Sequence, residues 1–274
     1  MMGASREALD AARERLDTLV DSTGVNVAAL ADELAAVTGL LDREVSLRRV
    51  LTDPAQAGEA KAELVGRLLS GQVGGEAVDL VSGMVRSRWS ASRDLVDAVE
   101  ELADIADLIV AERDGSLDSV EDELFRFSRI VATSPELRAA LSGKDRGERA
   151  VAAQTELVRR LLGGRAREAT LRLVVRLVEY PRGRSLDSGL DALSVLAAAR
   201  RDRSVAQVTS AVPLSDAQRD RLGAALGRIY GRQVQLNLDV DPSVLGGISV
   251  RIGDDVIHGT ISDRLDEVTR RMAG

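Results

Sequence analysis

The sequence predicts a mainly α protein with a small C-terminal α+β domain: two tandem helical bundles followed by a β-α-β-β-β-α unit. Three observations carry this reading. Apolar residues recur at helical spacing through residues 5–200, the helical part contains itself twice, and near Ser204 the apolar period drops to two. The corresponding domains are residues 1–105, 106–202 and 203–274.

In the helical part, Leu30, Leu34, Val37, Leu41 and Val45 step by four, three, four and four, an apolar stripe along one helix face. Leu95, Val99, Leu102, Ala106 and Ile109 repeat the pattern, which turns the charges of that segment outward. Breaks fall at Asp21-Ser22-Thr23-Gly24, Thr52-Asp53-Pro54, Ser70-Gly71-Gln72, Asp114-Gly115-Ser116 and Gly163-Gly164. Ser134-Pro135-Glu136 offers a cap, a first-turn proline and an acid at a helix start. For the repeat, Arg49 to Pro54 parallels Arg129 to Pro135, and Glu63 to Gly71 parallels Glu156 to Gly164. The offset then grows from about 80 to 93 and places an insertion near Leu141 to Gly147.

Past Ser204, Val208, Ser210, Val212 and Leu214 alternate as a strand does. Ser215 with Gln218 forms a capping-box pattern, opening a helix to Gly231 with Leu222, Ala225, Leu226 and Ile229 on one side. Val234, Leu236, Leu238 and Val240 alternate next, then Ile248, Val250 and Ile252. Gly246-Gly247 opens the latter strand where two backbones could approach closely, and Gly253-Asp254-Asp255 supplies turn chemistry before a short strand. Thr260, with Asp263 three residues on, caps a final helix.

Composition narrows the function. Aromatic residues make up only 2% of the chain, so cores must be packed from Ala, Leu, Val and Ile. Without cysteine there is no disulfide framework, thiolate metal site or cysteine nucleophile. No apolar run is long enough to span a bilayer and the N-terminus does not read as a signal peptide, so membrane association is expected through a partner. The formal charge of −7 argues against a general nucleic-acid binder. Charge is unevenly spread: Asp94 to Glu123 holds twelve acids against Arg113, whereas Arg159 to Arg184 holds eight arginines against Glu168 and Glu179. Those segments are either solvated helix faces or faces that meet partners of opposite charge.

No catalytic, metal or cofactor site is visible. His258 is the sole histidine, so a triad or histidine metal site has no second member. No phosphate-binding Gly-x-x-x-x-Gly-Lys-Ser/Thr occurs, and Gly246-Gly247 precedes a strand instead of a helix N-terminus. Trp89, close to Arg86 and Arg88, is either a helix-end core residue or an interface anchor.

The string from Leu245 to Leu265 resembles the C-terminal signature of the delta subunit of bacterial rotary ATP synthases, relatives of the mitochondrial oligomycin-sensitivity-conferring protein. Gly246, Gly247, Gly253, Asp254, Gly259 and Leu265 match it; His258 stands where the family has Asp and Thr260 where it has Ser. The likeness extends upstream through Val208 to Ser215 and Val234 to Pro242. The family has a six-helix domain before its α+β unit, and the extra length here matches one added helical copy, a form associated with actinobacteria. The opening Ser5-Arg6-Glu7-Ala8-Leu9 keeps the family's Ala and Leu but lacks its Tyr.

The resemblance implies a non-catalytic stator subunit without cofactors. It would join the N-terminal segments of the alpha subunits, on the catalytic head, to the C-terminal end of the peripheral-stalk b subunits. One copy per complex is expected, peripheral at the cytoplasmic face of the cell membrane. The groove implied for a head helix lies between first and fifth helices, at Ala8, Ala11 and Ala12 and at Val81, Val85 and Trp89. On helical content alone, an adaptor of another system fits equally; the C-terminal signature favours the stator.

Overall fold

A computed structural model describes residues 3–21, 24–142, 147–230, 234–241, 248–252 and 255–258, with backbone alone at 202–205, 230, 235, 255, 257 and 258. The chain divides into two compact units, residues 1–197 and 198–274. The first unit is helical: α1 (Ala4–Asp21), α2 (Val27–Arg43), α3 (Val45–Thr52), α4 (Gly58–Leu69), α5 (Gly75–Arg86), α6 (Ser92–Arg113), α7 (Leu117–Thr133), α8 (Pro135–Leu141), α9 (Glu148–Leu162), α10 (Glu168–Glu179) and α11 (Leu186–Ser204), the last running across the boundary.

Two apolar cores form in this unit. Leu16, Leu30, Leu34, Leu80, Val85, Leu95 and Leu102 belong to the first; Leu124, Phe127, Val158, Leu173, Leu177 and Leu190 belong to the second. The stripe read along α2 is buried from Leu30 to Leu41, but α2 ends before Glu44, and Val45 opens α3 with its side chain exposed. Ser134 caps α8 by accepting from the Leu137 N–H at 3.4 Å, with Pro135 in the first turn.

The two cores are built alike. Val27, Leu30, Leu34, Val37 and Leu41 on α2 occupy the places of Leu117, Val120, Leu124, Phe127 and Val131 on α7, an offset of 90 at which every member is buried. Ala77, Leu80, Val81, Met84 and Val85 on α5 match Thr170, Leu173, Val174, Leu177 and Val178 on α10, an offset of 93. Both α4–α5 and α9–α10 turn through a left-handed glycine, Gly71 at φ 78° and Gly164 at φ 67°, a conformation that favours glycine. Buried Leu51 and Leu141 pair α3 with α8 at an offset of 90. This corrects the pairing of Arg49–Pro54 with Arg129–Pro135: Ser134-Pro135 starts α8, the partner of α3, whereas Asp53-Pro54 follows α3. The insertion after Leu141 therefore amounts to three residues.

The second unit holds β1 (Val205–Ser210), α12 (Asp216–Tyr230), β2 (Gln235–Val240), β3 (Ile248–Ile252) and β4 (Asp255–His258), in a sheet of order β2-β1-β3-β4. β1 pairs with β2 in parallel and with β3 antiparallel, and β3 pairs antiparallel with β4. Ala206, Val208, Val250 and Ile252 bury one face beneath Leu226 of α12, so the period of two read in β2 and β3 is that of a one-sided sheet. β1 ends sooner than the alternation suggests. The Ser210 hydroxyl donates to the Val212 carbonyl at 2.7 Å and the Asp241 N–H donates to the Ser210 carbonyl at 3.0 Å, which leaves Val212 and Leu214 beyond the strand. In the expected capping box, Gln218 Oε1 accepts from the Ser215 N–H at 2.9 Å. The final helix expected after Thr260 lies outside the described residues.

Candidate partner-binding surfaces

α6 carries the acidic segment, and its sequence requires two buried faces. Leu95, Val99, Leu102, Ala106 and Ile109 enter the first core, while Leu108 and Ala111 enter the second. Between those faces Glu100, Asp104 and Asp107 are buried as well, and this corrects the outward placement read from periodicity. The opposing cations come from the arginine-rich segment. Arg176 pairs with Asp104 and, at 2.7 Å, with Asp107; Arg172 Nε donates to Asp107 at 2.7 Å and its Nη2 meets Asp32 of α2 at 2.6 Å. Arg182 binds Asp97 at 2.9 Å and also Glu100, which Arg184 reaches at 2.6 Å. Arg182 is a non-glycine residue in the left-handed region at φ 45°, followed by Gly183 at φ 81°. That strained turn brings the guanidinium back onto α6. The two oppositely charged segments meet each other and join the bundles.

Electrostatics follows from this burial. Asp104 is pushed up to about 6 by burial, against the pull of Arg176, with like-charged Asp107 adding to the rise. Burial works against the charge of Arg176 too, but its two aspartates outweigh that and hold it above its ordinary value. A cleft of about 470 Å³ between α1, α6 and α11 is lined by Asp97, Glu100, Glu101 and Asp104. Arginines already hold those acids, Arg13 pairing with Glu101. Among the described residues no group of three or more His, Asp and Glu is placed to hold a metal ion.

The residues expected to line a head groove come together. Ala8 and Ala12 of α1 and Val81 and Val85 of α5 are buried in the first core, with Trp89 just past α5. Trp89 donates its indole N–H to the Met84 carbonyl at 2.8 Å, so it closes the end of α5 as a core residue. Ala11 alone of the six is exposed. Beside it, Arg15 clasps Asp79 across α1 and α5 with contacts of 2.7–3.2 Å. Gly246, Gly247, Gly253, Asp254, Gly259 and Leu265 lie outside the described residues; His258 is described through its backbone, opposite Ser249 in the sheet. The signal that composition and periodicity did not convey was the mutual burial of the two charged segments. Their opposite net charges were its only trace.

No described helix is long and apolar enough to cross a membrane. Fold and surface together define a structural class of protein: two repeated helical bundles joined by internal ion pairs, linked in sequence to a small α+β unit. Within that class the chain belongs to the ATP synthase delta (OSCP) subunit family, whose family model matches residues 105–272. The match begins inside α6, just ahead of Leu108, the first residue of that helix to enter the second core. The chain is 69% identical to ATP synthase subunit delta of Streptomyces griseus, with all of both chains covered. It is 70% identical to that of Streptomyces avermitilis, over 99% of this chain and 98% of the other. Against that of Streptomyces coelicolor it is 67% identical, over 100% and 98%. The first bundle, ahead of the family match, is thus shared by these relatives.

Proposed function

We propose that this chain is a stator subunit of the ATP synthase, linking the catalytic head to the peripheral stalk and performing no chemistry itself. The observation that carries the reading is the end-to-end likeness to chains named ATP synthase subunit delta. The helical copies, residues 1–105 and 106–202, serve the N-terminal segments of the alpha subunits, and residues 203–274 serve the C-terminal end of the b subunits. The rim around Ala11, above Ala8, Ala12, Val81, Val85 and Trp89, takes a head helix. The signature from Gly246 and Gly247 through Gly253, Asp254 and Gly259 to Leu265 shapes the stalk end. The chain sits peripherally at the cytoplasmic face of the cell membrane, in one copy per complex.

Buried ion pairs between the bundles support this reading, since a stator has to resist torque without yielding at a joint. Several modest contacts on one body raise effective concentration, and joint affinity can exceed each alone by roughly 10²–10⁴. The test is native mass spectrometry of the chain mixed with the catalytic head and a soluble C-terminal b fragment. One copy per head that then recruits the b fragment is the expected result. A folded chain that binds neither partner would overturn the reading.

A further inference from the structure

We propose that the outward face of α7, formed by Asp122, Phe125, Arg129 and Thr133 with Ile130 at its edge, docks an amphipathic helix that carries carboxylates beside its apolar stripe. The internal repeat points to this face. At the offset of 90 its residues correspond to Asp32, Ala35, Gly39, Arg43 and Leu40 of α2. In the first copy the middle of that face, at Gly39, is covered, with Ala35 and Leu40 half-buried beside it. Arg172 reaches Asp32 at 2.6 Å, and the Tyr180 hydroxyl lies 2.9 Å from where a side chain on Gly39 would begin. The covering elements belong to the second bundle, and no third copy follows in the sequence to cover α7 in turn.

An uncovered helix face should have become polar throughout, and this one has done so only in part. Position 125 carries Phe where α2 has Ala, and position 130 keeps a large aliphatic residue; Phe125 is 56% exposed and Ile130 54%. The chain has two phenylalanines, and the other, Phe127, is buried in the second core. Exposed aromatics flanked by arginine are the residue types that anchor interfaces.

Charge then selects the occupant. Where α2 has Ala36 and Gly39, α7 has Arg126 and Arg129. Arg126 is neutralised by Asp122 at 2.6 Å. Arg129 instead lies over the Phe125 ring, 5.9 Å from its centroid, and no carboxylate among the described residues pairs with it. The stripe is left with one uncommitted cation beside two exposed apolar side chains. A helix offering an acid within a turn of its apolar residues satisfies both at once. Such an occupant also differs from α10, which brings arginines, so the second copy has changed its partner along with its surface.

The inference rests on the proposed function in placing the chain within assembled ATP synthase. The experiment replaces Phe125 with the photo-crosslinker benzoylphenylalanine in the full chain, assembles and purifies the enzyme, irradiates it and maps the adduct by mass spectrometry. The expected adduct lies on a neighbouring subunit, in a segment with apolar residues at helical spacing and Asp or Glu within one turn. Arg129→Glu should cut its yield about tenfold, whereas Arg129→Lys should retain most of it. Both substituted side chains are exposed, so the thermal melt of the free chain should stay unchanged and serves as the folding control. No adduct, an adduct to a second copy of this chain or to a basic segment, or an Arg129→Glu yield equal to wild type would overturn the inference. A chain missing from the purified enzyme overturns both readings, whereas its presence without an adduct overturns this one alone.

Discussion

Asp104 shows how a single buried group can set the pH response of the joint between the bundles. Arg176 is shared by Asp104 and Asp107, and Asp107 is also held by Arg172, so Asp104 has no cation to itself. With its value raised from 3.8 to about 6, Asp104 holds a proton in the folded chain through a window in which the unfolded chain has released it. The stability this confers is complete below the ordinary carboxylate value and is lost as pH rises through about 6, a swing on the order of 2–3 kcal/mol. Asp104→Asn keeps an acceptor for Arg176 and removes the titration. Urea unfolding should therefore find the variant at least as stable as wild type at pH 7.5, with the advantage shrinking toward pH 5. A variant that is weaker at pH 7.5 by more than about 1 kcal/mol would show that the ionised pair is net favourable. Lys61 gives a second test at this scale. It is buried on α4, with burial holding its ammonium below the ordinary value and Asp53 partly offsetting that, and its counterpart at the offset of 93 is the uncharged, buried Gln154. Lys61→Gln should thus leave the unfolding free energy within about 0.5 kcal/mol of wild type, or raise it, in a denaturant titration.

At the scale of elements, the fifth helix of each copy begins against a glutamate. Glu123 Oε2 accepts from the Arg167 N–H at 2.8 Å and from the Thr170 hydroxyl at 2.6 Å, at the start of α10. In the first copy the Glu33 carboxylate stands 3.0 Å from where a side chain on Gly74 would begin, at the start of α5. A carboxylate there meets free backbone donors and the positive end of the helix dipole. Glu123→Ala should cost about 1–2 kcal/mol and speed amide exchange in the first turn of α10, while Glu123→Gln, which keeps an acceptor without the charge, should cost about half as much. Equal losses for the two variants would remove the dipole from the explanation. These relations also mark what the sequence could convey. The cores of the strands, the caps at Ser134 and Ser215 and the stripes of α2 and α6 were legible because each depends on residues near in sequence. The second buried face of α6 was not, since a stripe analysis assumes one apolar side and Glu100, Asp104 and Asp107 look solvated until Arg172, Arg176 and Arg182 are placed against them. The repeat was visible, but its register hung on two prolines that occupy different places relative to α3 and α8. The residues expected to line a head groove lie near one another, but periodicity could not tell that all of them except Ala11 are buried in the first core.

For the helical unit as a whole, the decisive property is that α6 belongs to both bundles. Its Leu102 and Ile109 pack in the first core and its Leu108 in the second, all within two helical turns. The two bundles cannot separate without tearing one face of that helix from its neighbours and stripping Arg176 from Asp104 and Asp107. A pair in one place suggests how the overlap arose. Arg15 on α1 clasps Asp79 on α5, and Asp107 on α6 is clasped by Arg172 on α10, which is Asp79 advanced by 93. α6 thus faces α10 as α1 faces α5, with the charges exchanged: it closes the first copy and opens the second. Such an arrangement should unfold as one cooperative body instead of two domains on a tether. Trp89, the sole tryptophan, reports the first core, whereas Leu173 is fully buried in the second. Leu173→Ala should cost about 2–4 kcal/mol and lower the urea midpoint read from Trp89 fluorescence by roughly 1 M, although the two residues lie in different cores. If helicity is lost at lower urea while the Trp89 midpoint stays where it was, the bundles fold independently and α6 is a hinge.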